Sequence, residues 1–260
     1  MKKILITGGH GYIGKSLYNN LSDGYETTSI SRVDFDLSDT IKTKEWFDGK
    51  YFDVVVHTAM KGGSRLVKDD STVLNTNLKM YYNLLDCRSH YGKLINIGSG
   101  AEIYNSNSMY GLSKSVIRTS LLEQDNFYNL RIFAIFDENE LETRFIKASI
   151  LRYLTKQNII IHQDKQMDFF YMKDFITLMK YYIENTNPPK EIDCCYDSHF
   201  YLSTIANKIN QLSNYTVGID FISNEVSQNN YIGQHTNLTL PFVGIYVGIQ
   251  TVYEKLKCKI

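Results

Sequence analysis

The chain has 260 residues, 43% hydrophobic and 22% charged, enough apolar material for one sizeable core and a small appended lobe. Lys and Arg together number 28, as do Asp and Glu, so no global charge gathers nucleic acid or an anionic membrane surface, and phosphate recognition must be local. The four cysteines show no C-x-x-C spacing and the histidines no paired metal-ligand spacing, so no metal is expected and the thiols read as reduced and cytoplasmic.

In chain order, MKKILITGG carries two lysines ahead of a short apolar run. Gly8 and Gly9 break that run and no small-residue cleavage site follows, so it reads as a buried strand, not a signal peptide. Runs rich in Val, Ile, Leu or aromatic residues predict strands at 3–7, 27–31, 54–58, 94–98 and 129–136. Between them, helical periodicity covers 12–21, 39–47, 74–89 and 110–123, the second opened by a Ser38-Asp39 cap signal. This alternation predicts an α/β fold, a Rossmann-type doubly wound parallel sheet with crossover helices, over residues 1–136. Residues 137–260 read as a smaller, mixed C-terminal substrate lobe interleaved with the first: helices at 144–154, 173–184 and 202–212 and a strand at 159–161. The apolar stretch 240–253 is too short for a membrane span and is broken by glycine, so it is taken as packing material.

The first strand-to-helix turn is TGGHGYIG, with Gly8, Gly11 and Gly14 at G-x-x-G-x-x-G spacing. Glycines so placed let the chain turn tightly, let backbone approach a pyrophosphate, and let the helix pack on its strand. The free N–H groups at the helix start, around Tyr12 and Ile13, then face phosphates. His10 reads as a solvent-facing spectator. An acidic residue after the second strand would hold a ribose hydroxyl, whereas a 2′-phosphate calls for a cation. The strand here ends Ser31-Arg32, and Arg32 can fork onto a phosphate, so NADP is expected, with Asp34 serving NAD as the alternative. Asp36 and Leu37 are placed for the adenine.

Tyr110 and Lys114, in YGLSK, stand one helical turn apart on one face. A phenol with a pKa near ~10 transfers protons poorly at neutral pH, and a nearby ammonium favours its ionised form, which suits carbonyl reduction or alcohol oxidation. Ser99 ends the preceding strand, on the sheet edge where doubly wound folds bind ligands, and its hydroxyl can hold a substrate oxygen.

TGGHGYIG, HTAM, NLKMYYNLL, the serine strand end, YGLSK, LRIFAIF and MDFFYMKDF together resemble, in order, the landmarks of extended short-chain dehydrogenases/reductases, the NAD-dependent epimerase/dehydratase family acting on nucleotide sugars. The resemblance spans residues 1–212. It implies that His57, Thr58 and Ala59 line the cofactor, that Asn77 holds the strand-end loops, that Lys114 also contacts the nicotinamide ribose, and that the C-terminal lobe binds a nucleotide-diphosphate sugar. Lys61, Glu102, Ala134 and Arg144 are the implied substrate contacts. A homodimer built on the helices around Tyr81 and Tyr110 is the implied assembly. KGGSR after HTAM and the SR-x-D-x-D-L-S-D pattern look most like the GDP-fucose synthases and deoxysugar 4-ketoreductases.

Departures narrow the chemistry. Ala101 stands where dehydratases of the family carry an aspartic acid, and where GDP-fucose synthase carries a cysteine; 137–143 holds no histidine for epimerisation. Ala134 replaces a common asparagine and Met167 a phosphate-binding arginine, leaving Arg144, Lys147 and Arg152 as substitute cations. Tyr110 follows Ser99 by only eleven positions, which implies a more open or differently shaped sugar pocket. The resulting expectation is an NADPH-dependent reductase of a nucleotide-activated 4-keto sugar, with an epimerase retaining NAD as the alternative and a non-catalytic dinucleotide-binding protein as the remote one.

Overall fold

Strands buried on both faces read as nearly unbroken apolar runs, whereas an edge strand can alternate with polar residues. FDVVVH and YGKLINIGS are of the first kind and ETTSI of the second. In the computed structural model of the chain, which describes all residues except Arg65, Thr236, Asn237 and Ile260, these segments take the corresponding places. β1 (Lys3–Thr7), β2 (Glu26–Ile30), β3 (Phe52–His57), β4 (Tyr91–Ser99) and β5 (Phe127–Ile132) are joined by α1 (Tyr12–Leu21), α2 (Thr40–Phe47), α3 (Thr72–Asp86), a one-turn α4 (Ala101–Tyr104) and α5 (Met109–Leu122). Asp39 caps α2, its carboxylate accepting the N–H groups of Ile41 and Lys42 at 3.1 Å each.

The main sheet has the order β2-β1-β3-β4-β5-β9, with β9 at Glu191–Cys194. β1 pairs in parallel with β2 on one side and β3 on the other, and β3 with β4. The chain therefore leaves β1 to one side and crosses back to the other. That reversal is the switch point of a doubly wound α/β fold, at whose carboxyl edge ligands bind. Thr7 and His57 end the strands at this point and Ser99 ends the next strand.

The chain divides into two compact units, residues 1–131 with 180–192, and 132–179 with 193–260. In the first, Leu5, Val55 and Leu94 of the sheet pack with Tyr81 and Leu84 of α3 and Ile117 and Leu121 of α5, all buried. Each such side chain contributes about 1.5–3 kcal/mol on burial. The returning segment is held to this unit by polar contacts as well. Lys93 donates to the carbonyls of Tyr182 and Asn185 at 2.6 Å each. Glu191 receives Arg118 at 2.5 Å and Arg131 at 3.1 Å.

The second unit contains β6 (Ile135–Phe136) paired with β8 (Phe170–Tyr171), β7 (Ile159–Gln163) paired with β10 (Ile219–Ser223), and the helices α6 (Phe145–Leu154), α7 (Met172–Glu184, which runs into the first unit), α8 (Leu202–Ile209) and α9 (Ile245–Lys257). Phe136, Ile150, Tyr153, Ile205 and Val252 lie in its core.

Several elements differ from the sequence reading. The strand expected at 129–136 breaks after Ile132, and β6 pairs in a separate sheet. The stretch 240–253 contains the start of α9, where a Cβ on Gly248 would fall 2.7 Å from the Tyr171 ring and 2.8 Å from that of Phe136, so the interrupting glycine is a packing requirement. β9 and β10 were not expected, and the division falls after Arg131 where the sequence suggested Phe136. All four cysteines are free; Cys87, Cys194 and Cys195 are buried and Cys258 is exposed. Among the described residues no helix is long and apolar enough to cross a membrane, and no group of His, Cys, Asp and Glu could hold a metal ion.

Candidate active site

The glycine loop is built by steric necessity. Gly8 has a φ of +72°, in the region that favours glycine, and a Cβ there would lie 2.7 Å from the Ala59 backbone. A Cβ on Gly14 would lie 2.4 Å from the Gly8 carbonyl oxygen, so α1 backs directly onto the turn. The Gly11 N–H donates to the Gly8 carbonyl at 2.9 Å, and α1 starts at Tyr12 with Ile13 in its first turn.

Beside this turn lies a cavity of about 210 Å³, lined by Gly8, Gly11, Arg32, Asp36, Leu37, Thr58 and Ala59 among the expected residues. His10 is exposed, as expected, and also lines the cavity, its Nδ1 3.4 Å from Ser31 Oγ. Phe35, Met60 and Met80 line the cavity too and were missed; the apolar Phe35 and Leu37 within SRVDFDL were the available signal. Of the carboxylates, Asp34 accepts from Ser31 N at 2.8 Å and Ser31 Oγ at 3.2 Å, and Asp36 from Ser38 N at 2.9 Å and Ser38 Oγ at 2.8 Å. The backbone and hydroxyl bonds from Ser38 hold the Asp36 carboxyl below its usual range. A glycine cradle against Ala59, apolar lining from Phe35 and Leu37, and the cation of Arg32 fit a dinucleotide. Gly8, Gly11, Thr58, Ala59 and Arg32 are the residues that would hold it.

Helix α5 begins where the Ser108 hydroxyl accepts the Gly111 N–H at 3.0 Å, which places Tyr110 in the first turn and Lys114 one turn on. Gly111 is obligatory, since a Cβ there would fall 1.9 Å from the Asn105 carbonyl oxygen. Lys114 Nζ donates to the Ile97 carbonyl of β4 and lies 5.8 Å from the Tyr110 ring centroid. The helix thus joins the phenol to the strand that ends in Ser99. Burial lowers Lys114 to about 8, opposed by the charge of Glu102. Ser99 is buried, and its Oγ accepts the Ala101 N–H at 3.2 Å.

The other expected residues fall into place unevenly. Asn77 accepts the Lys61 N–H at 2.8 Å and donates to the Lys61 carbonyl and to Ser113 Oγ at 3.0 Å each, fastening the strand-end loop to α5. The next residues, Gly62 and Gly63, have φ of +81° and +74°, and a Cβ on Gly63 would meet the Tyr110 ring at 2.8 Å. This loop covers the phenol, which the sequence did not reveal. Lys61 Nζ pairs with Asp70 at 3.1 Å, and Arg65 of KGGSR lies outside the described residues. Glu102 turns inward: its carboxylate accepts from Ser99 N at 2.9 Å and Arg131 Nε at 2.9 Å, both partners of this ion pair being buried. His57 is 1% exposed and lies beneath the cavity, not in its wall.

In the second unit, the Ala134 carbonyl accepts from Phe170 N at 2.7 Å, and Arg144 caps α6. Lys147 is bound to Glu140 O at 2.9 Å and Arg152 to Asn158 O. Among the described residues, the Arg144 guanidinium has no hydrogen bond.

Residues 4–195 match the NAD dependent epimerase/dehydratase family. The chain belongs to that family. It is an enzyme of the extended short-chain dehydrogenase/reductase type, an oxidoreductase that uses a nicotinamide dinucleotide. Among curated members, the CDP-abequose synthase of Yersinia pseudotuberculosis is 25% identical over 211 residues, covering 71% of this chain and 74% of that protein. The UDP-glucose 4-epimerase of Thermotoga maritima, solved with UDP-glucose, superposes with a TM-score of 0.81 at 17% identity over 99% of both chains. A GDP-mannoheptose C4 reductase of Campylobacter jejuni with NADP bound superposes with a TM-score of 0.80 at 15% identity over 98% of both. At these identities the two structures carry the fold of the family and not its chemistry.

Proposed function

We propose that this enzyme is an NADP-dependent reductase of a nucleotide-activated 4-keto sugar. The observation that carries the reading is that Arg32, Ser31 and His10 all line the dinucleotide cavity, while Asp34 and Asp36 each turn one carboxylate oxygen onto Ser31 or Ser38. A 2′-phosphate calls for a cation such as Arg32. The nucleotide-sugar substrate draws support from the family and from its curated member, a CDP-abequose synthase.

The dinucleotide, when bound, supplies the hydride. Tyr110 gives its phenolic proton to the carbonyl oxygen, and Ser99 Oγ holds that oxygen. Lys114, tethered to the Ile97 carbonyl, keeps a positive charge beside the phenol, which favours loss of its proton.

Nucleotide 4-keto sugars incubated with NADPH or NADH and followed by mass spectrometry test the reaction, with a gain of two mass units expected under NADPH. Arg32→Ala should weaken NADPH by about ten- to a hundredfold, the worth of a charge-assisted bond pair, and leave NADH nearly unchanged. Equal losses for both cofactors defeat the NADP reading. NAD retained stoichiometrically through purification, with interconversion of sugar epimers, replaces the reductase by an epimerase.

A further inference from the structure

A polar row crosses the sheet beneath the catalytic group. Thr7, His57 and Asn96 are register partners on β1, β3 and β4, so their side chains stand side by side on one face. Asn129 of β5 extends the row, accepting from Asn96 Nδ2 at 2.7 Å. None of the four is more than 1% exposed.

The polarity of the row follows from its acid end. A carboxylate paired with Arg131 only accepts, so Asn129 turns its Nδ2 toward Glu102, at 3.2 Å from Oε2. Its Oδ1 then receives Asn96 Nδ2, which leaves Asn96 Oδ1 facing back along the row. At the other end, Thr7 Oγ1 accepts the Ala59 N–H at 3.3 Å and lies 2.9 Å from His57 Nδ1. Among the described residues, Nδ1 is the one acceptor for the Thr7 hydroxyl hydrogen, so the ring proton of His57 belongs on Nε2. The row thus presents a donor, His57 Nε2–H, and an acceptor, Asn96 Oδ1, on adjacent strands. Both atoms are buried and neither has a hydrogen-bond partner. Leaving each unmet is unfavourable, and a water bonded to both removes that cost.

We propose that one buried water sits between His57 and Asn96, accepting from Nε2–H and donating to Oδ1, and that the closed row makes these two side chains positioning residues for catalysis. The row runs donor to acceptor from the Ala59 N–H through Thr7, His57, the water, Asn96 and Asn129 to Glu102. That same carboxylate accepts the Ser99 N–H at 2.9 Å. Its two ends are therefore the backbone under Gly8, where the dinucleotide is cradled, and the backbone of the serine that holds the substrate oxygen. Aligned hydrogen bonds polarise and strengthen one another. Burial, and secondarily the charge of Lys114, hold His57 down to about 3, so the ring stays neutral and the polarity fixed. The positioning role rests on the reductase reading above; the water and the tautomer do not.

Nitrogen-15 NMR of the whole protein without substrate reads the tautomer directly. His57 is expected as the neutral Nε2–H form throughout about pH 5 to 8. An Nδ1–H form, or titration within that range, overturns the polarity. A high-resolution crystal structure is expected to show one water between Nε2 and Oδ1; continuous direct contact or empty density overturns the water. For positioning, His57→Phe should lower kcat by roughly ten- to a hundredfold through misplacement of Ser99. His57→Gln, which offers an acceptor to Thr7 and a donor across the gap, should be several-fold faster than the Phe variant. Equal kcat in the two variants overturns the positioning role even if the water is found. Failure of the sugar screen leaves the NMR and crystallographic results standing by themselves.

Discussion

A buried ammonium is held at a cost, and Lys114 shows what that cost secures. Its Nζ is anchored on the Ile97 carbonyl and sits beside the Tyr110 ring, and burial has drawn it from 10.5 to about 8. Below the lowered value the folded protein carries an unfavourable buried charge. As pH rises from about 8 toward 10.5 the folded state has released a proton that the unfolded chain still holds, so stability rises with pH across this window. We expect Lys114→Met to lack that rise, the difference reaching a few kcal/mol by the usual ~1.4 kcal/mol per pKa unit. Urea unfolding of both proteins near pH 7.5 and near pH 10 measures it; parallel pH dependences would contradict it. Tyr110→Phe removes the hydroxyl proposed above as the proton donor and keeps the ring, so turnover should fall by about 10²–10⁴-fold while dinucleotide affinity changes little. Dinucleotide titration beside steady-state kinetics checks both halves.

At the scale of elements, two glycines separate binding from chemistry. Gly14 presses α1 against Gly8, so Gly14→Val should push the helix off the turn and weaken dinucleotide binding at least tenfold. Gly63 lies instead on the Tyr110 ring, and Gly63→Ala adds a methyl 2.8 Å from the phenol at a φ of +74°. That variant should lose turnover about as strongly, yet titrate dinucleotide like the parent; a matching loss of dinucleotide affinity would show that the loop serves the cofactor. The sequence made Gly14 legible, and with it Ser99, Tyr110 and Lys114, because each belongs to a local motif on one strand end or one helical turn. Gly63, the inward turn of Glu102 and the Thr7–His57–Asn96–Asn129 row were not legible. They depend on register between strands and on a loop folding across α5, neither of which leaves a short-range pattern. The same contrast separates the strands. β1, β3 and β4 announce themselves by their apolar segments ILI, VVV and LI, whereas β9 is four residues following Pro188 and Pro189, and β10, IDFIS, is too exposed to carry an apolar run.

For the molecule as a whole, the division after Arg131 is less a boundary than an excursion. The chain leaves the first unit, builds most of the second, and returns through residues 180–192 to supply the last strand of the main sheet. A fragment ending at Phe136, the limit suggested by sequence alone, would lack β9. Arg118 and Arg131 would lose Glu191, and the buried Lys93 both of its carbonyl acceptors. Stranding a buried charge such as Lys93 costs about 3–5 kcal/mol, a large part of the stability of a small domain, while the half-exposed Arg118–Glu191 pair adds less. Residues 1–136 should therefore give no cooperative urea transition by circular dichroism, and a sharp transition would refute the need for the returning strand.

Three of the four thiols are sealed in the interior, Cys87 at 2%, Cys194 at 1% and Cys195 at 6% exposure, and burial pushes Cys195 up to about 12. Cys258, just past the end of α9, stands in solvent. The thiolate is the species that alkylating reagents capture, so the native protein should accept a single equivalent of maleimide and the denatured chain all four. The wild-type chain thus arrives with one addressable handle, ready for a fluorophore or a surface tether with no cysteine removed by mutation. Counting adducts by intact-mass spectrometry before and after adding urea turns the same chemistry into a gauge of how tightly the interior is closed.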